Sequence, residues 1–222
     1  LISAGYINLE DEAASEEQRI SQRIKAGVPG PLVEARLMAA DGSFLPKDGT
    51  TQGELVLRAP WLTQAYFREP EKSQELWAGG WLHTGDVATI SPAGTIEIRD
   101  RIKDVIKTGG EWLSSLELED RISRSPLVAE VAVVGIPDPR WDERPFALVV
   151  PAAGQTVTAQ AISDHLMPSV EEGHINKWAI PRQIAVVSEI PKTSVGKLDK
   201  KRIRGDIAGW LESEASCISS LD

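Results

Sequence analysis

The sequence has one cysteine and no long apolar run, and each scarcity excludes a class of protein. Cys217 has no partner for a disulfide within the chain, a pattern typical of reducing compartments. Uncharged stretches such as residues 131–137 are far shorter than the ~20 apolar residues that cross a bilayer. We therefore expect a cytoplasmic protein without a transmembrane segment.

Positive charge is also scarce. The 222 residues include 24 Lys and Arg against 33 Asp and Glu, which gives a formal net charge of -9. This surplus of carboxylates would repel backbone phosphates, so we expect no nucleic-acid partner. A chain of this length can bury one large or two modest cores. It starts at Leu1 without a signal-peptide pattern, and we expect it to be part of a longer protein.

The charge deficit is reversed near the end of the sequence. Six of the thirteen residues from 192 to 204 are Lys or Arg. Gly196 directly precedes Lys197 and can adopt backbone conformations closed to other residues, so it can present the lysine at a loop tip. A phosphate or a developing oxyanion suits such an ammonium. The alternative is a solvated, lysine-rich surface before a terminal helix.

The first half of the sequence is predicted to be β-rich. An exposed connection at residues 11–31 comes first. Residues 69–77 suit a short helix with Pro70 in its first turn. Short alternating runs bounded by turn residues predict strands at residues 33–37, 54–58 and 95–99.

The second half predicts a small α+β domain that begins near residues 100–103. Residues 128–136 and 146–150 are valine-rich and flanked by prolines, which predicts two neighbouring buried strands. Thr158 suits the N-cap of a helix that extends to residue 167. A strand at 179–187 and a helix at 200–214 complete the pattern.

A further helix is predicted after Gly109 and Gly110. Its apolar and polar residues separate at roughly helical spacing. The predicted apolar side consists of Leu116, Leu118, Ile122 and Leu127, and the predicted polar side of Glu117, Glu119, Asp120 and Arg121.

Two segments carry side chains suited to binding. In G-G-W-L-H-T-G-D-V-A, residues 79–88, Gly85 permits a tight turn and Asp86 offers two acceptor oxygens after a strand-like segment. Such a carboxylate can accept hydrogen bonds from vicinal hydroxyls, such as those of a ribose. The alternative is an Asx-turn that satisfies its own backbone.

The second segment, residues 94–112, reads G-T-I-E-I-R-D-R-I-K-D-V-I-K-T-G-G-E-W and gathers cations at the exit of a strand. Arg101 and Lys103 would share one face if the strand continued that far. Gly109 and Gly110 would let a ligand approach the backbone. The alternative is a salt-bridged linker. In that case Arg99, Arg101, Lys103 and Lys107 would pair with Asp100, Asp104 and Glu111.

Taken together, these segments resemble the adenylate-forming acyl-CoA synthetases, a superfamily that includes firefly luciferase and the adenylation domains of peptide synthetases. The resemblance covers residues 53–204. It rests on G-E-L-V-L-R-A-P, Y-F-R-E-P-E-K-S, G-G-W-L-H-T-G-D, the linker segment and P-K-T-S-V-G-K-L-D-K. The stretches K-T-G-G-E-W-L-S-S-L-E-L-E, P-D-P-R-W-D-E-R-P and N-K-W-A-I-P most resemble medium- and long-chain fatty-acyl-CoA ligases.

The resemblance implies a two-step reaction with ATP, Mg²⁺, a fatty acid or related carboxylate, and CoA. It implies Lys197 as the catalytic lysine, and Thr84, Asp86 and Arg101 as nucleotide-binding residues. Lys103 matches the hinge. The residues implied for the CoA step are Lys107, Gly109, Gly110, Glu111, Arg140 and Trp141, and no residue is assigned as a metal ligand.

By the same resemblance, residues 1–100 are the β-rich end of a large AMP-binding domain, 101–103 the hinge linker and 104–222 a small α+β lid domain. The Ser/Thr/Gly-rich phosphate loop and the Y-G-x-T-E-like stretch of the superfamily are absent from these residues, and Ala65 replaces a usual glycine. We therefore expect residues 1–222 alone to be inactive, and to self-associate. The alternatives are adenylation of a non-fatty carboxylate and a non-catalytic interaction module.

Overall fold

The computed structural model describes residues 2–4 and 15–212. The chain divides into two units, Leu1–Lys103 and Asp104–Asp222. Cys217, the predicted connection before Ser15 and the predicted helix beyond Glu212 fall outside the described residues. The α+β fold class is confirmed, because both helices and sheets form the structure.

The first unit is built on a four-stranded antiparallel sheet with the order β3-β4-β5-β6. A two-stranded pair, β1 with β2, and two helices accompany it. Residues 16–23, expected within an exposed connection, form a helix instead. The elements are β1 (Ser3–Ala4), α1 (Glu16–Arg23), β2 (Val28–Pro29), β3 (Glu34–Met38), β4 (Gly53–Arg58), α2 (Pro70–Leu76), β5 (Leu82–Ile90) and β6 (Ile96–Arg101).

Alternation along these strands explains the sheet. Leu55 and Leu57 of β4 pack with Leu37 in one buried cluster, whereas Val56 packs with Trp81 in another. The short helix α2 begins at Pro70 as predicted, because the first turn of a helix has no partner for the N–H that proline lacks.

The second unit is built around the long antiparallel pair β9–β10. Strand β11 runs parallel to β10, and β7 pairs with the beginning of β10. The elements are β7 (Ile106–Thr108), β8 (Glu111–Leu113), α3 (Ser115–Ser123), β9 (Val128–Asp138), β10 (Asp142–Pro151), α4 (Ala159–Glu171), β11 (Gln183–Val186), α5 (Lys200–Gly205) and α6 (Ile207–Glu212).

The middle of β9, residues 131–136, and the second half of β10, residues 145–150, are apolar because both faces of the sheet are covered there. Val131, Val133, Ala147 and Val149 face one way and pack with residues of α3 and α4. Phe146 and its neighbours on the opposite face pack against Ile203 of α5. The two predicted buried strands are therefore confirmed, and their continuous valine runs reflect two cores rather than one.

Helices α3 and α4, which pack on the Val133 face of the sheet, both have a hydroxyl side chain as N-cap. The Thr158 side chain accepts a hydrogen bond from the Ala161 N–H at 3.1 Å, as predicted, and Ser114 accepts one from the Glu117 N–H at 3.1 Å. The Ser114 cap was not predicted.

The predicted division of α3 into apolar and polar sides is wrong at two residues. Leu118 and Ile122 are buried, but Leu116 is 49% exposed. Glu119, predicted on the polar side, is buried and accepts a hydrogen bond from the Val133 N–H at 2.7 Å. Helical spacing identified the apolar stripe, but it could not show that a strand edge would need an acceptor on that helix.

Two other boundaries differ from prediction. The strand expected at 179–187 starts only at Gln183, because a 3₁₀ turn, Lys177–Ala179, and Pro181 precede it. The expected terminal helix is interrupted at Asp206 and forms α5 and α6. None of the helices in the described ranges is long and apolar enough to cross a membrane.

The exposure difference within α3 predicts unequal effects of the same truncation. We expect Leu118→Ala to lower the free energy of unfolding of the second unit by about 2–5 kcal/mol, because it leaves a cavity in a packed core. Leu116→Ala, the matched control on the same helix, should cost less than about 1 kcal/mol. Denaturant unfolding of the 222-residue chain measures both, and equal costs would contradict the assignment of the two faces.

Candidate functional site

The first candidate residues lie in a bulge of β5. Three residues, Thr84, Gly85 and Asp86, stand opposite the single residue Leu55 of β4, and Gly85 has a φ of 69°. The expected tight turn after a strand is therefore wrong, because β5 continues through this point to Ile90. The bulge needs a left-handed residue, which explains the glycine.

The bulge brings Asp86 to Arg101, which the sequence had placed in a different segment. Asp86 is paired with Arg101 across strands β5 and β6, and the Arg101 Nε lies 2.7 Å from the Asp86 Oδ1. The alternative of an Asx-turn is not what the structure shows. The Thr84 hydroxyl donates to the Leu55 carbonyl at 2.7 Å and accepts from the Asp86 N–H at 3.1 Å, so it holds the bulge together.

A second carboxylate supports the bulge and was not singled out from the sequence. The Glu54 Oε1 accepts a hydrogen bond from the Gly85 N–H at 3.2 Å, and its Oε2 lies 2.8 Å from the His83 Nδ1. Burial raises the pKa of the Asp86 carboxyl above its ordinary value; the Arg101 charge opposes that rise and the Glu54 charge adds to it.

The linker differs from both expectations. Strand β6 ends at Arg101 and Lys103 lies in the turn that follows, so the two side chains do not share a strand face. Two of the three expected salt-bridge partners are engaged elsewhere. Asp104 pairs with Arg204 at 2.8 Å, and the Glu111 carboxylate accepts a hydrogen bond from the Asn176 side chain at 2.9 Å.

Gly109 and Gly110 form the two-residue turn between β7 and β8, and both have positive φ. The Gly109 N–H donates to the Trp141 carbonyl at 2.9 Å. A Cβ at Gly109 would lie 3.1 Å from the Cε3 of the Trp141 ring. The Lys107 N–H donates to the Glu143 carboxylate at 2.8 Å. The structure thus shows that the β7–β8 turn and Trp141 are in contact. The sequence had only assigned both to the same CoA step.

Trp141 borders a groove that contains a second indole and several cations. The ring of Trp141 is partly exposed and lies near two guanidiniums, with the Arg140 Cζ 5.0 Å and the Arg144 Cζ 5.8 Å from its centroid. The groove extends along the surface of the second unit. It is lined by Trp141, Arg144, Ser163, Met167, Lys177, Trp178, Ile180 and Arg182.

This groove has excess positive charge. Burial, and then the neighbouring charge of Arg182, lower the pKa of the Arg144 guanidinium from its ordinary value, while Asp138 acts in the opposite direction. Among the described residues, no ion pair with a carboxylate is formed by Arg144, Lys177 or Arg182. Two indoles beside uncompensated cations suit a ligand with a flat ring and phosphates. Arg144, Lys177, Trp178 and Arg182 were not predicted as site residues. Arg144 follows Trp141 closely in the sequence, but Lys177, Trp178 and Arg182 lie far from it along the chain.

Lys197 lies on a tight loop that precedes α5. The Thr193 N–H donates to the Lys197 carbonyl at 2.7 Å, the Gly196 N–H donates to the Thr193 carbonyl at 2.9 Å, and Gly196 has a φ of 78°. The Lys197 side chain is exposed, and within the described residues its ammonium has no hydrogen-bond or ion-pair partner. The predicted presentation of this lysine at a loop tip is what the backbone shows.

Three of the six cations in this segment have partners within the chain instead. Lys192, Lys200 and Arg204 each pair with a carboxylate of the second unit, at 2.9, 2.7 and 2.8 Å. The number of cations in this segment is therefore a poor guide to its affinity for an external anion. The loop geometry is what distinguishes Lys197.

The electrostatics of the bulge can be tested by titration. We expect the Asp86 carboxyl to titrate above 3.8, with a lower pKa in Glu54→Gln and a higher pKa in Arg101→Gln. Because the folded state then binds the Asp86 proton more tightly than the unfolded state, the contribution of Asp86 to the free energy of unfolding should fall as pH rises from the unfolded to the folded pKa of this carboxyl. Carboxyl NMR of the 222-residue chain measures the values.

Glu69→Gln removes an exposed carboxylate that pairs with Lys72, and it serves as the control. It should leave the pKa of Asp86 unchanged. An Asp86 pKa below 3.8 would show that Arg101 outweighs burial, which contradicts the prediction.

Comparisons with known proteins agree with this arrangement. Residues 117–197 match the family described as the AMP-binding enzyme C-terminal domain. The long-chain-fatty-acid–CoA ligase of Thermus thermophilus is 39% identical over 205 residues, which cover 92% of this chain and 37% of that protein. The 3-methylmercaptopropionyl-CoA ligase of Ruegeria lacuscaerulensis is 40% identical over 195 residues, 88% of this chain and 35% of that protein.

A solved structure shows the same fold. The amide bond synthetase McbA from Marinactinospora thermotolerans superimposes with a TM-score of 0.72 and 31% identity, over 93% of this chain and 39% of that chain. The chain thus spans little more than a third of the length of the relatives it matches. It belongs to the adenylate-forming superfamily and corresponds to the C-terminal portion of the acyl-CoA synthetases.

Proposed function

We propose that this chain acts as the C-terminal part of an ATP-dependent acid–CoA ligase. In the first step a carboxylate oxygen attacks the α-phosphorus of ATP, and the bond to pyrophosphate breaks. In the second step the CoA sulfur attacks the acyl carbon, and the bond to AMP breaks. The observation that carries this proposal is Lys197, an ammonium held at a loop tip while three neighbouring cations are neutralised internally.

Lys197 would neutralise the negative charge that develops between the carboxylate and the α-phosphate. A preorganised cation at developing charge is typically worth ~10²- to 10³-fold in rate. The Asp86 carboxylate would accept hydrogen bonds from the ribose hydroxyls. Arg101, whose Nε lies 2.7 Å from the Asp86 Oδ1, would contact the same sugar. The hinge role of Lys103 stays a prediction, and Mg²⁺ enters only as the partner of ATP.

The groove beside Trp141 would receive the nucleotide end of CoA. An indole can stack on adenine, and the guanidiniums and ammonium can pair with its phosphates. The lack of a Cβ at Gly109 leaves the Trp141 ring close to the β7–β8 turn, where the pantetheine arm would pass. The parts proposed for Lys107, Gly110 and Glu111 in that passage, and self-association, stay predictions.

We propose a medium- or long-chain fatty acid as the carboxylate. The Thermus thermophilus relative is named for a long-chain fatty acid, but the Ruegeria lacuscaerulensis relative is named for 3-methylmercaptopropionate. The alternative of a non-fatty carboxylate is therefore kept as an outcome of the assay. A non-catalytic module is disfavoured, because it would need neither the Asp86–Arg101 pair nor an unpaired Lys197.

The first half-reaction is tested by pyrophosphate release from the full-length protein that contains this sequence. We expect release with fatty acids, thioester formation when CoA is added, and a loss of roughly 10²- to 10³-fold in Lys197→Ala. Lys201→Ala, which removes an exposed lysine of α5, is the matched control and should keep its activity. Residues 1–222 alone should release no pyrophosphate. Full activity in Lys197→Ala, or no release with any acid from acetate to palmitate, would reject the proposal.

The groove is tested by the second half-reaction in the same protein. Arg182→Gln should raise the KM for CoA by about tenfold or more, because one charge-assisted hydrogen bond is lost. Pyrophosphate release should be unchanged. Arg202→Gln makes the same chemical change on α5, outside the groove, and should leave the KM for CoA as it is. Equal effects of the two variants would remove the groove from the CoA step.

A further inference from the structure

One cation next to the loop that carries Lys197, residues 191–199 and called the lysine loop below, is buried. The side chain of Lys200, the first residue of α5, is 9% exposed. Its ammonium lies 2.7 Å from the Glu119 Oε1 and 2.8 Å from the Ser115 Oγ, both on α3. Lys200 therefore ties the start of one helix to another helix in a place that water hardly reaches.

The same carboxylate reaches the sheet. Strand β9 pairs only with β10 among the described strands, so its other side is an edge. The Val133 N–H on β9 donates to the Glu119 Oε1 at 2.7 Å. Glu119 is thus held by an N–H of the strand and by the ammonium of Lys200, which fixes α5 relative to both α3 and the edge of the sheet.

Lys200 lies three residues after Lys197, at one end of the lysine loop. The Asp199 N–H donates to the Pro191 carbonyl at 2.8 Å, and the Asp199 side chain caps α5 by accepting from the Arg202 N–H at 3.0 Å. The first bond connects the two stems of the loop and the second joins Asp199 to the first turn of α5, so a shift of that turn would move the loop.

The other stem also has an ion pair, but it is exposed. Lys192 and Glu130 approach to 2.9 Å, with both side chains 45% exposed. Exposed pairs contribute little to order, whereas breaking a buried pair is strongly disruptive. The chain therefore offers a buried pair and an exposed pair at the two ends of the same loop.

We propose that Lys200 and Glu119 are positioning residues that set the direction in which the loop presents Lys197. A buried ion pair is weak evidence for stability, because desolvation offsets much of its attraction. Its effect here is geometric: the pair holds the first turn of α5 at one place on the edge of β9. The functional consequence rests on the role of Lys197 given under Proposed function.

Hydrogen exchange of the 222-residue chain tests the geometric part without any catalysis. The variant is the neutral pair Lys200→Met with Glu119→Gln, in which the amide oxygen of the glutamine can still accept from the Val133 N–H. The matched control is Lys192→Met with Glu130→Gln at the exposed pair. The reporters are the hydrogen-bonded amides of Thr193, Gly196, Lys197 and Asp199.

We expect these amides to exchange about tenfold faster or more in the buried-pair variant, and to change less than about twofold in the control. Unchanged exchange in the buried-pair variant would overturn the proposal. If that variant does not fold, Lys200→Arg takes its place. It keeps the charge, and we expect its longer, forked head to displace α5 from α3. Faster exchange in Lys200→Arg supports the proposal, and unchanged exchange overturns it.

Activity separates this inference from the proposed function. In the full-length protein the buried-pair variant should lower kcat for pyrophosphate release by roughly 10- to 100-fold, because small misplacements of a catalytic group are costly. The KM for ATP should change less than about threefold, since a binding contact is not removed. Full activity in Lys197→Ala rejects the proposed function. An inactive Lys197→Ala beside an unchanged kcat in the buried-pair variant rejects only the positioning role.

Discussion

The antiparallel pairing of β9 with β10 is the interaction on which the second unit depends. It runs from Asp138 opposite Asp142 to Val128 opposite Pro151, and alternate residues along it face two separate cores. In a strand pair buried on both faces, the backbone N–H and C=O groups hydrogen-bond to each other, and apolar side chains on both faces are removed from water. Helices α3 and α4 cover one face and α5 contributes Ile203 to the other.

The candidate sites of this unit lie at the connection between β9 and β10 and beside the unpaired edge of β9. The connection between β9 and β10 carries Arg140 and Trp141, and the ring of Trp141 rests against Gly109 of the β7–β8 turn. The unpaired edge of β9 is closed by Glu119, which in turn holds Lys200 beside the lysine loop. The rigid part of the unit thus positions side chains that could not be placed reliably by loops alone.

The cations of the chain differ in whether they have a carboxylate partner. Three cations near the lysine loop pair with carboxylates of the second unit, namely Lys192, Lys200 and Arg204. Cations proposed to meet a ligand lack such a partner among the described residues, as with Lys197 and Arg182. Arg101 is intermediate, because it pairs with Asp86 while its side chain stays 58% exposed. In an acidic chain, a place at a loop tip or in the groove distinguishes these groups better than their density along the sequence does.

The sequence by itself determined the buried strands, the Thr158 cap, the Pro70 helix start and the glycine loop before Lys197, because each depends on local periodicity or on one residue's backbone preference. The motifs were also enough to indicate the superfamily. Only the tertiary structure decided that Asp86 lies in a bulge against Arg101, that Glu119 is buried, and that Trp178, Arg144, Lys177 and Arg182 join Trp141 in one groove. Most of those contacts link residues far apart in the chain. They arise from strand register and from the need of a strand edge for hydrogen-bond partners, which no local pattern encodes.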